Sequence, residues 1–425
     1  MRPTASLLLL VSAIMLRPAF AEAVDPYGYP FVDPLEATVL GTPPPYRAEL
    51  PEEVPSRVRQ LLIHPRRPIP EIFWYTSRFE YSVAAQPGRA PLVFVIPGTG
   101  ADYNAVKTLI MQRILYKAGL HVVSLSSPIH PNFIVSASST SVPGLIQVDA
   151  EDLYRVMQLA YRQIGDRLDV SRFYLTGYSL GATQAAFVAK MDDERGVFDF
   201  DKVLLINPPF NLYNSARILD DLFDNHIRSE ADFNALFESM MTALAGAFQQ
   251  TDAATIDEDL LYQVYRTNPP DDATLEALIG LAFRFVEANL TFSADVMSDA
   301  GLLVPRGVNL SITDSLTPYL RVGLRTRFED YATRVLYPFY RTQNPGVSFE
   351  DMIRASSLQA IGDYLANSQK IGLMHNEDDI TMAEGEIDYL EYLFGDRARI
   401  YPKGGHVGNL DYRDNVAYII EFFGS

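Results

Sequence analysis

The stretch Phe173-Tyr-Leu-Thr-Gly-Tyr-Ser-Leu-Gly-Ala-Thr-Gln-Ala-Ala-Phe187 decides the fold that the rest of the chain is expected to adopt. It begins with an apolar run typical of a buried strand and ends with small residues at helical spacing. A strand that turns directly into a helix strains the residue at its apex. Gly177 and Gly181 remove side chains that would clash there. The pattern therefore predicts a strand, a tight turn and a helix, with Ser179 at the apex of the turn.

The residues on both sides of this stretch alternate between strand patterns and helical patterns. Residues 91–96 and 121–125 are apolar runs typical of strands that are covered on both faces. Residues 103–117 and 148–164 carry apolar residues at helical spacing, and residues 202–206 form a further strand pattern. Such alternation builds a mostly parallel sheet flanked by helices. The sequence therefore predicts the α/β class.

The alternation stops after the strand that ends near Ile206. Residues 210–356 contain no clear buried-strand pattern but several helical ones. Within them, residues 233–248 form an amphipathic stripe that includes Met240 and Met241, and residues 275–286 are apolar nearly all round. We therefore predict an α-helical cap inserted between two parts of the α/β core. The predicted segments are residues 71–209 for the first part of the core, 210–356 for the cap and 357–425 for the second part of the core.

The first 21 residues have the features of a secretory signal peptide. Arg2 precedes a short apolar run that ends at Leu16, and Ala19-Phe20-Ala21 provides small residues where a signal peptidase would cut. The apolar run is too short to span a bilayer comfortably. We therefore expect cleavage after residue 21, no stable membrane span, and export to the periplasm or the cell exterior.

Residues 22–70 form a proline-rich segment. Proline lacks a backbone N–H and disfavours long helices and central strands. The segment is expected to lie extended over the core or to link it to another element, with one short helix within residues 54–63. Residues 72–83 alternate aromatic and polar side chains, and this alternation predicts a half-exposed strand.

The composition excludes several classes of function. The 425-residue chain has a formal net charge of −18, which disfavours binding to nucleic acid or to anionic lipid. The sequence contains no cysteine, so disulfides and thiolate chemistry are excluded. No zinc or calcium motif is recognisable, and we expect neither a metal nor a cofactor. The oligomeric state is left open.

A serine hydroxyl needs a neighbouring imidazole to become a nucleophile, and the imidazole needs a carboxylate to orient it. The chain has six histidines. Only His406 lies in a glycine-flanked loop after the last predicted strand, where it could reach Ser179. His130 could border the site. The cluster Asp378-Asp379 follows the end of another predicted strand and supplies candidate carboxylates.

The pattern around Ser179, the acid cluster and the loop Gly404-Gly-His-Val-Gly408 together resemble the α/β-hydrolase superfamily. The resemblance covers about residues 90–207 and 357–423. It implies an α/β-hydrolase fold with Ser179 as nucleophile and His406 as general base and then acid. The acid is Asp378 or Asp379, and Asp378 is favoured because family members usually place the aspartate one residue before a pair such as Asp379-Ile380.

The same resemblance implies an oxyanion hole. One backbone amide is that of Leu180, at the start of the helix after the turn, and the other is that of Thr99, in the loop after the strand at 91–96. Many members carry His-Gly in that loop, whereas this chain has Pro97-Gly98. The missing histidine affects the choice of subfamily more than the mechanism.

The favoured function is that of an exported serine hydrolase acting on carboxylic esters or thioesters through an acyl-serine intermediate. The apolar cap predicts a substrate with a substantial apolar group, either a small molecule or a lipid-like ester. One alternative is a capped serine aminopeptidase, which would need acids near the site to bind a free amine. The other is a non-catalytic, hydrolase-like binding protein of the cell envelope.

Overall fold

The computed structural model describes residues 27–236, 238, 242, 262, 265–267 and 269–424. The predicted signal peptide lies outside these residues, and so do Met240, Met241 and most of the predicted stripe at 233–248.

An eight-stranded sheet forms the centre of the fold. Its strand order is β1-β2-β4-β3-β5-β6-β7-β8. β1 and β2 pair antiparallel, β2 pairs antiparallel with β4, and all the remaining neighbours are parallel. The strands are β1 (Ser56–Leu61), β2 (Phe79–Ala84), β3 (Ala90–Ile96), β4 (His121–Ser124), β5 (Val170–Tyr178), β6 (Lys202–Ile206), β7 (Ile371–Asn376) and β8 (Ala398–Tyr401).

Helices cover both faces of this sheet. In β3, Leu92, Phe94 and Ile96 pack into one hydrophobic cluster, while Val93 and Val95 pack into another on the opposite face. Both faces of the strand are therefore buried, which explains its continuous apolar run. The helices of the core are α2 (Val106–Lys117), α3 (Pro131–Ser136), α4 (Ile146–Ile164) and α5 (Leu180–Arg195), and, after β6, α12 (Gly362–Asn367), α13 (Glu386–Phe394) and α14 (Arg413–Gly424).

Between β6 and β7 the described residues form helices and loops but no strand of the sheet. Two long helices, α6 (Leu212–His226) and α7 (Asp272–Ser298), pack closely against each other. A side chain at Gly280 would lie 2.3 Å from the backbone nitrogen of Phe223, so glycine permits this approach. The shorter helices are α8 (Thr317–Gly323), α9 (Phe328–Tyr331), α10 (Tyr337–Gln343) and α11 (Phe349–Ala355), and residues 230–236 are also helical.

Within the described residues, α7 is the one helix long and apolar enough to cross a membrane, with a mean hydropathy of 1.2 over its most apolar window. That window is 56% buried inside the protein. Because α7 packs against α6, its apolar composition is explained by its position within the helical insertion.

The described part of the proline-rich segment lies against the core. Helix α1 (Pro34–Leu40) begins after Asp33, whose side chain accepts hydrogen bonds from the first backbone amides of the helix. Tyr27 and Tyr29 are buried, and both pack edge-on against the ring of Tyr412. The segment therefore contributes aromatic side chains to the hydrophobic core.

Two local predictions in this region are wrong. The expected short helix within 54–63 is strand β1, because Arg57 and Arg59 pair with Val83 and Tyr81 at the edge of the sheet. The expected strand at 72–83 begins as a 3-10 helix, Glu71–Thr76, and only Phe79–Ala84 is extended. At β1, pairing with the sheet outweighs the local sequence pattern. In the 3-10 helix, Ile72 and Phe73 pack instead with Val135 of α3 and with Leu303.

Candidate active site

Ser179 lies at the turn between β5 and α5. Its backbone is strained, with φ of 53° and ψ of −134°. A Cβ at Gly177 would lie 2.2 Å from the carbonyl oxygen of Gly181, and a Cβ at Gly181 would lie 2.1 Å from that of Ile96. The predicted strand, turn and helix are therefore confirmed, and both glycines are required by close backbone contacts.

A hydrogen-bonded chain of three side chains begins at this turn. Ser179 Oγ lies 2.8 Å from His406 Nε2. On the other side of the ring, His406 Nδ1 lies 2.9 Å from Asp379 Oδ2 and 3.0 Å from Oδ1. The imidazole thus bridges the hydroxyl and a carboxylate, which is the arrangement that can activate a serine.

Asp379 is held by further donors. Asn207 Nδ2 donates to Oδ2 at 2.9 Å, while the backbone amide and the hydroxyl of Thr381 donate to Oδ1 at 3.0 and 2.8 Å. Burial raises the pKa of the Asp379 carboxyl, but the charge and hydrogen bond of His406 outweigh burial and place the pKa below its usual range. The carboxyl is therefore ionised and fixed in orientation.

The structure corrects the choice of Asp378 as the acid beside His406. Asp378 is half-buried, and its two oxygens accept hydrogen bonds from the backbone amides of Gly404 and Gly405, at 3.1 and 2.8 Å. It therefore supports the backbone just before His406, whereas Asp379 contacts the imidazole itself. The two acids are neighbours in the turn after β7, and their side chains serve different parts of one loop.

Helix α1 of the proline-rich segment also holds the loop of His406. Thr38 Oγ1 accepts a hydrogen bond from the backbone amide of His406 at 2.9 Å and donates to the carbonyl of Pro34 at 2.6 Å. A Cβ at Gly408 would lie 2.0 Å from the carbonyl oxygen of Ala37, so the loop and the helix are in close contact. Residues from opposite ends of the chain therefore position the imidazole.

Sequence reasoning missed Asn207, Thr381 and Thr38 as parts of this site. Asn207 directly follows β6 and has a positive φ of 46°, which is uncommon for a residue other than glycine. Its place at the carboxyl end of a strand, next to the serine strand, is the signal that could have found it. No comparable signal marks Thr38, which lies 368 residues before its partner.

Thr99 and Leu180 both line the cleft in which Ser179 and His406 lie. A Cβ at Gly98 would be 3.0 Å from Ser179 Cβ, so the loop after β3 approaches the serine closely. Leu180 is the first residue of α5, where backbone amides lack partners within the helix. The predicted oxyanion hole thus has both of its residues next to Ser179, and its role stays a prediction.

The cleft lies between the sheet and the helical insertion. Its walls are mainly apolar and come largely from α6 and α7. On α7, Phe283, Val286, Glu287 and Leu290 line it at helical spacing, and Leu212, Ser215, Ala216 and Leu219 do so on α6. A chain of methylene groups attached near Ser179 would therefore meet apolar surface.

None of the other five histidines contacts Ser179 among the contacts of the described residues. His130 caps α3 by accepting from the amide of Asn132, and His375 is buried beside Asp379, with its Nδ1 3.9 Å from Oδ2. His64, His121 and His226 contact Ala137, Gln86 and Glu276 respectively. In the part of the chain that the structure describes, no group of three or more His, Asp or Glu side chains is arranged to hold a metal ion.

The strand that turns into a helix at Ser179, on a mostly parallel sheet, and the chain order of Ser179, Asp379 and His406 are features of one known architecture. The chain has the α/β-hydrolase fold. No protein-family model matches the sequence, and no curated protein matches it either.

Solved structures of similar fold include several esterases. An esterase of the archaeon Pyrobaculum calidifontis is 17% identical with a TM-score of 0.41, covering 88% of this chain and 84% of that one. An esterase from Rhizomucor miehei is 13% identical with a TM-score of 0.42 and the same two coverages. Carboxyl esterase 2 of Tuber melanosporum is 14% identical, with a TM-score of 0.41, and covers 89% of this chain and 86% of that one. Because these identities and TM-scores are low, the fold is assigned from this chain's own strand order and from the strand-turn-helix at Ser179.

Proposed function

We propose that this protein is a serine hydrolase that cleaves carboxylic esters or thioesters through an acyl-serine intermediate. The proposal is carried by the continuous hydrogen-bonded chain from Ser179 Oγ through His406 to Asp379, with distances of 2.8 and 2.9 Å. This geometry matches what a serine needs in order to attack a carbonyl carbon.

In the proposed reaction His406 Nε2 takes the proton of Ser179 as Oγ bonds to the carbonyl carbon. The imidazolium then gives that proton to the leaving alcohol or thiol, and the acyl group remains on Ser179. Water repeats the two steps and releases the acid. Asp379, which accepts from Nδ1, stabilises the imidazolium. The amides of Thr99 and Leu180 are proposed to stabilise the oxyanion.

We further propose that the substrate carries a substantial apolar acyl or alcohol group. Support comes from the apolar walls that α6 and α7 give to the cleft in which Ser179 and His406 lie. Burying methylene groups there would be favourable, since each contributes about 0.8 kcal/mol. Small-molecule and lipid-like esters both have groups of this kind.

The two alternatives are less well supported. An aminopeptidase needs acids that bind a free amine, and among the described cleft residues the one acid is Glu287, which has the guanidinium of Arg284 beside it. A guanidinium next to the acid disfavours a second cation. A non-catalytic binding protein would not need the bonded arrangement of Ser179, His406 and Asp379. Hydrolysis of amino-acid amides, or ligand binding without turnover, would favour these alternatives.

Export to the periplasm or the cell exterior is also a proposal, and it is supported by the sequence of residues 1–21 alone. It predicts a mature protein that begins at Glu22. N-terminal sequencing of the protein from the medium or the periplasm of an expressing cell tests it. A protein that retains residues 1–21 in the cytoplasm would contradict it.

The reaction is tested by labelling with a fluorophosphonate and by hydrolysis of chromogenic acyl esters. Ser179→Ala should abolish labelling and lower turnover by ~10⁴-fold or more, because the nucleophile is gone. A circular dichroism spectrum like that of the unmodified protein serves as the control for folding. Labelling that survives the substitution would remove Ser179 from the reaction.

A further inference from the structure

Glu287 is an exception among the residues that line the cleft. It belongs to the face of α7 on which Phe283, Val286 and Leu290 are apolar, and it lines the same cleft as the apolar side chains of α6. An apolar residue at this position would complete the stripe. Among the described residues that line the cleft, it is the only carboxylic acid.

The carboxyl group of Glu287 is buried and has unused hydrogen-bonding capacity. The residue is 2% exposed, and neither carboxyl oxygen has a hydrogen-bond donor among the described residues. Burial, and next the neighbouring Asp220 carboxylate, raise the pKa of the Glu287 carboxyl well above its usual range. The raised pKa favours the protonated form of Glu287. Burial raises the pKa of the Asp220 carboxyl as well, so the two acids can share one proton, and Glu287 retains an oxygen without a donor.

Glu287 adjoins a network of ion pairs between α6 and α7. Arg284 Nη2 contacts Asp220 Oδ1 at 2.6 Å and Asp224 Oδ1 at 3.3 Å. Asp220 also accepts a hydrogen bond from the backbone amide of Phe328 at 3.0 Å. Arg284 Nε lies 3.4 Å from Glu287 Oε2, in a geometry that is not a hydrogen bond. Asp220 and Asp224 thus already pair with the guanidinium through Nη2. Glu287 adds only the 3.4 Å contact of its Oε2 with Nε, so this network leaves the other carboxyl oxygen, Oε1, without a partner among the described residues.

We propose that Glu287 determines specificity by accepting a hydrogen bond from a hydroxyl group on the apolar chain of the substrate. The inference rests on the proposed ester hydrolysis at Ser179 and adds a feature to its substrate. A buried acceptor in an apolar cleft favours a ligand that supplies a donor, and it disfavours the same chain without one. The substrate class is thus a hydroxylated acyl or alkyl ester.

A hydroxyl fits this position better than an ammonium group. An ammonium has three donors and a full charge, whereas the cleft offers one neutral acid beside the guanidinium of Arg284. A hydroxyl has a single donor, needs no counter-charge, and can itself accept a hydrogen bond. Ser215 of α6 also lines the cleft, but its hydroxyl already donates to the carbonyl of Thr381 at 2.7 Å, so its proton is not available to Glu287.

The test compares methyl octanoate with methyl hydroxyoctanoates that carry the hydroxyl at each carbon from the third to the last. The acetates of octanol and of the corresponding diols cover a chain on the alcohol side. One position should give a specificity constant roughly fivefold to tenfold above that of the unsubstituted ester, which is the range of one neutral hydrogen bond. A hydroxyl that lowers the constant at every position in both series would overturn the proposal.

Three variants separate recognition from a structural role. Glu287→Gln keeps an acceptor oxygen and should keep the hydroxyl preference, whereas Glu287→Leu should lose it and favour the unsubstituted ester. Leu290→Val, a matched change on the same face of α7, should alter both esters to the same extent. If Glu287→Leu fails to fold, the outcome rests on Glu287→Gln and on the substrate series with the unmodified enzyme.

Three further outcomes also decide whether Glu287 recognises a substrate hydroxyl. Preference for an aminoacyl ester that disappears in Glu287→Gln would show an ion pair with an ammonium and would contradict the proposal. A lower unfolding temperature in Glu287→Leu, with an unchanged substrate preference, would make Glu287 purely structural. Fluorophosphonate labelling and hydrolysis of 4-nitrophenyl acetate, whose short acyl group ends near Ser179, report on the reaction separately. If both persist while the hydroxyl preference is absent, only this inference fails.

Discussion

The cleft has two sides that differ in the kind of contact they make. On the side of the sheet, Ser179, His406 and Asp379 are joined by directional hydrogen bonds. On the side of the helical insertion, α6 and α7 present mostly apolar side chains. Replacing one atom can abolish a directional hydrogen bond and the activity that depends on it, whereas a change in an apolar side chain alters the binding energy gradually. We therefore expect the sheet side to control the rate and the insertion side to control the choice of substrate.

The largest expected effect is a difference in turnover between variants of the two adjacent aspartates on the sheet side. Asp379→Asn should lower turnover by ~10⁴-fold, because an amide no longer holds the imidazole in its tautomer or stabilises its charge. Asp378→Asn should have a much smaller effect, since the amide oxygen can still accept from Gly404 or Gly405. Steady-state turnover of one ester by the two purified variants measures the difference.

The unfolding temperature is the control in this pair. If Asp378→Asn has lost the activity together with the fold, the comparison must be repeated with Asp378→Glu. The assignment of Asp379 would be wrong if the folded Asp378 variant were the inactive one and the Asp379 variant kept its turnover.

Asp378 and Asp379 also show which features of the site could be predicted from the sequence and which could not. The parallel strands and the turn at Ser179 were predictable, because β3, β6 and residues 173–175 of β5 are apolar runs and the glycines around Ser179 allow a tight local turn. Which of two adjacent acids faces His406 depends on the turn after β7 and on where the loop at 404–406 lies. Those are tertiary contacts, which a local pattern does not contain.

The proline-rich segment illustrates the same limit. Its prolines predicted an extended chain. The structure instead has helix α1, whose Thr38 accepts a hydrogen bond from the backbone amide of His406, and strand β1, which joins the sheet at its edge. Edge strands tolerate polar side chains such as Arg57 and Arg59, so the alternation that would reveal them is weak. The apolar run at residues 275–286 was visible in the sequence, but it ends one residue before Glu287, and the position of Glu287 in the cleft required the structure.

The two sides of the cleft should respond to pH in opposite ways. The pKa of Asp379 lies below its unfolded value of about 3.9, so its contribution to stability is present above that pH and is lost as the pH falls. The pKa of Glu287 is raised above its unfolded value of about 4.3, so its contribution is fully present below that pH and is lost as the pH rises towards the folded pKa.

Asp379→Asn should therefore flatten the acid limb of the stability profile, and Glu287→Gln should flatten the neutral-to-alkaline limb. Each group can contribute a slope of up to about 1.4 kcal/mol per pH unit, a tenfold change in the unfolding equilibrium. Urea midpoints between about pH 3 and pH 9 measure the profiles. Parallel profiles for both variants and the unmodified protein would contradict the assigned charge states.

A smaller effect is expected where the sheet side depends on the proline-rich segment. Thr38→Val keeps the shape of the side chain but removes the acceptor for the backbone amide of His406. Turnover should fall roughly tenfold with little change in KM, because one lost hydrogen bond misplaces the imidazole and leaves substrate binding intact.

Thr38→Ser is the matched variant, since it restores the hydroxyl without the methyl group, and it should recover most of the turnover. Equal losses in the two variants, or a rise in KM without a fall in turnover, would show that Thr38 acts through packing rather than by positioning His406.

The smallest expected effect concerns the apolar side of the cleft. Measuring it tests whether the side chains of α6 and α7 select the substrate. Across straight-chain esters, the specificity constant should rise by about fourfold per added methylene, which corresponds to about 0.8 kcal/mol, until the apolar walls of the cleft are covered. Phe283→Ala should move the optimum to longer chains and Ala216→Leu to shorter ones, while acetate hydrolysis changes little in either. A monotonic fall beyond acetate would mean that the apolar walls exclude the chain rather than bind it, and the substrate would then be small or polar.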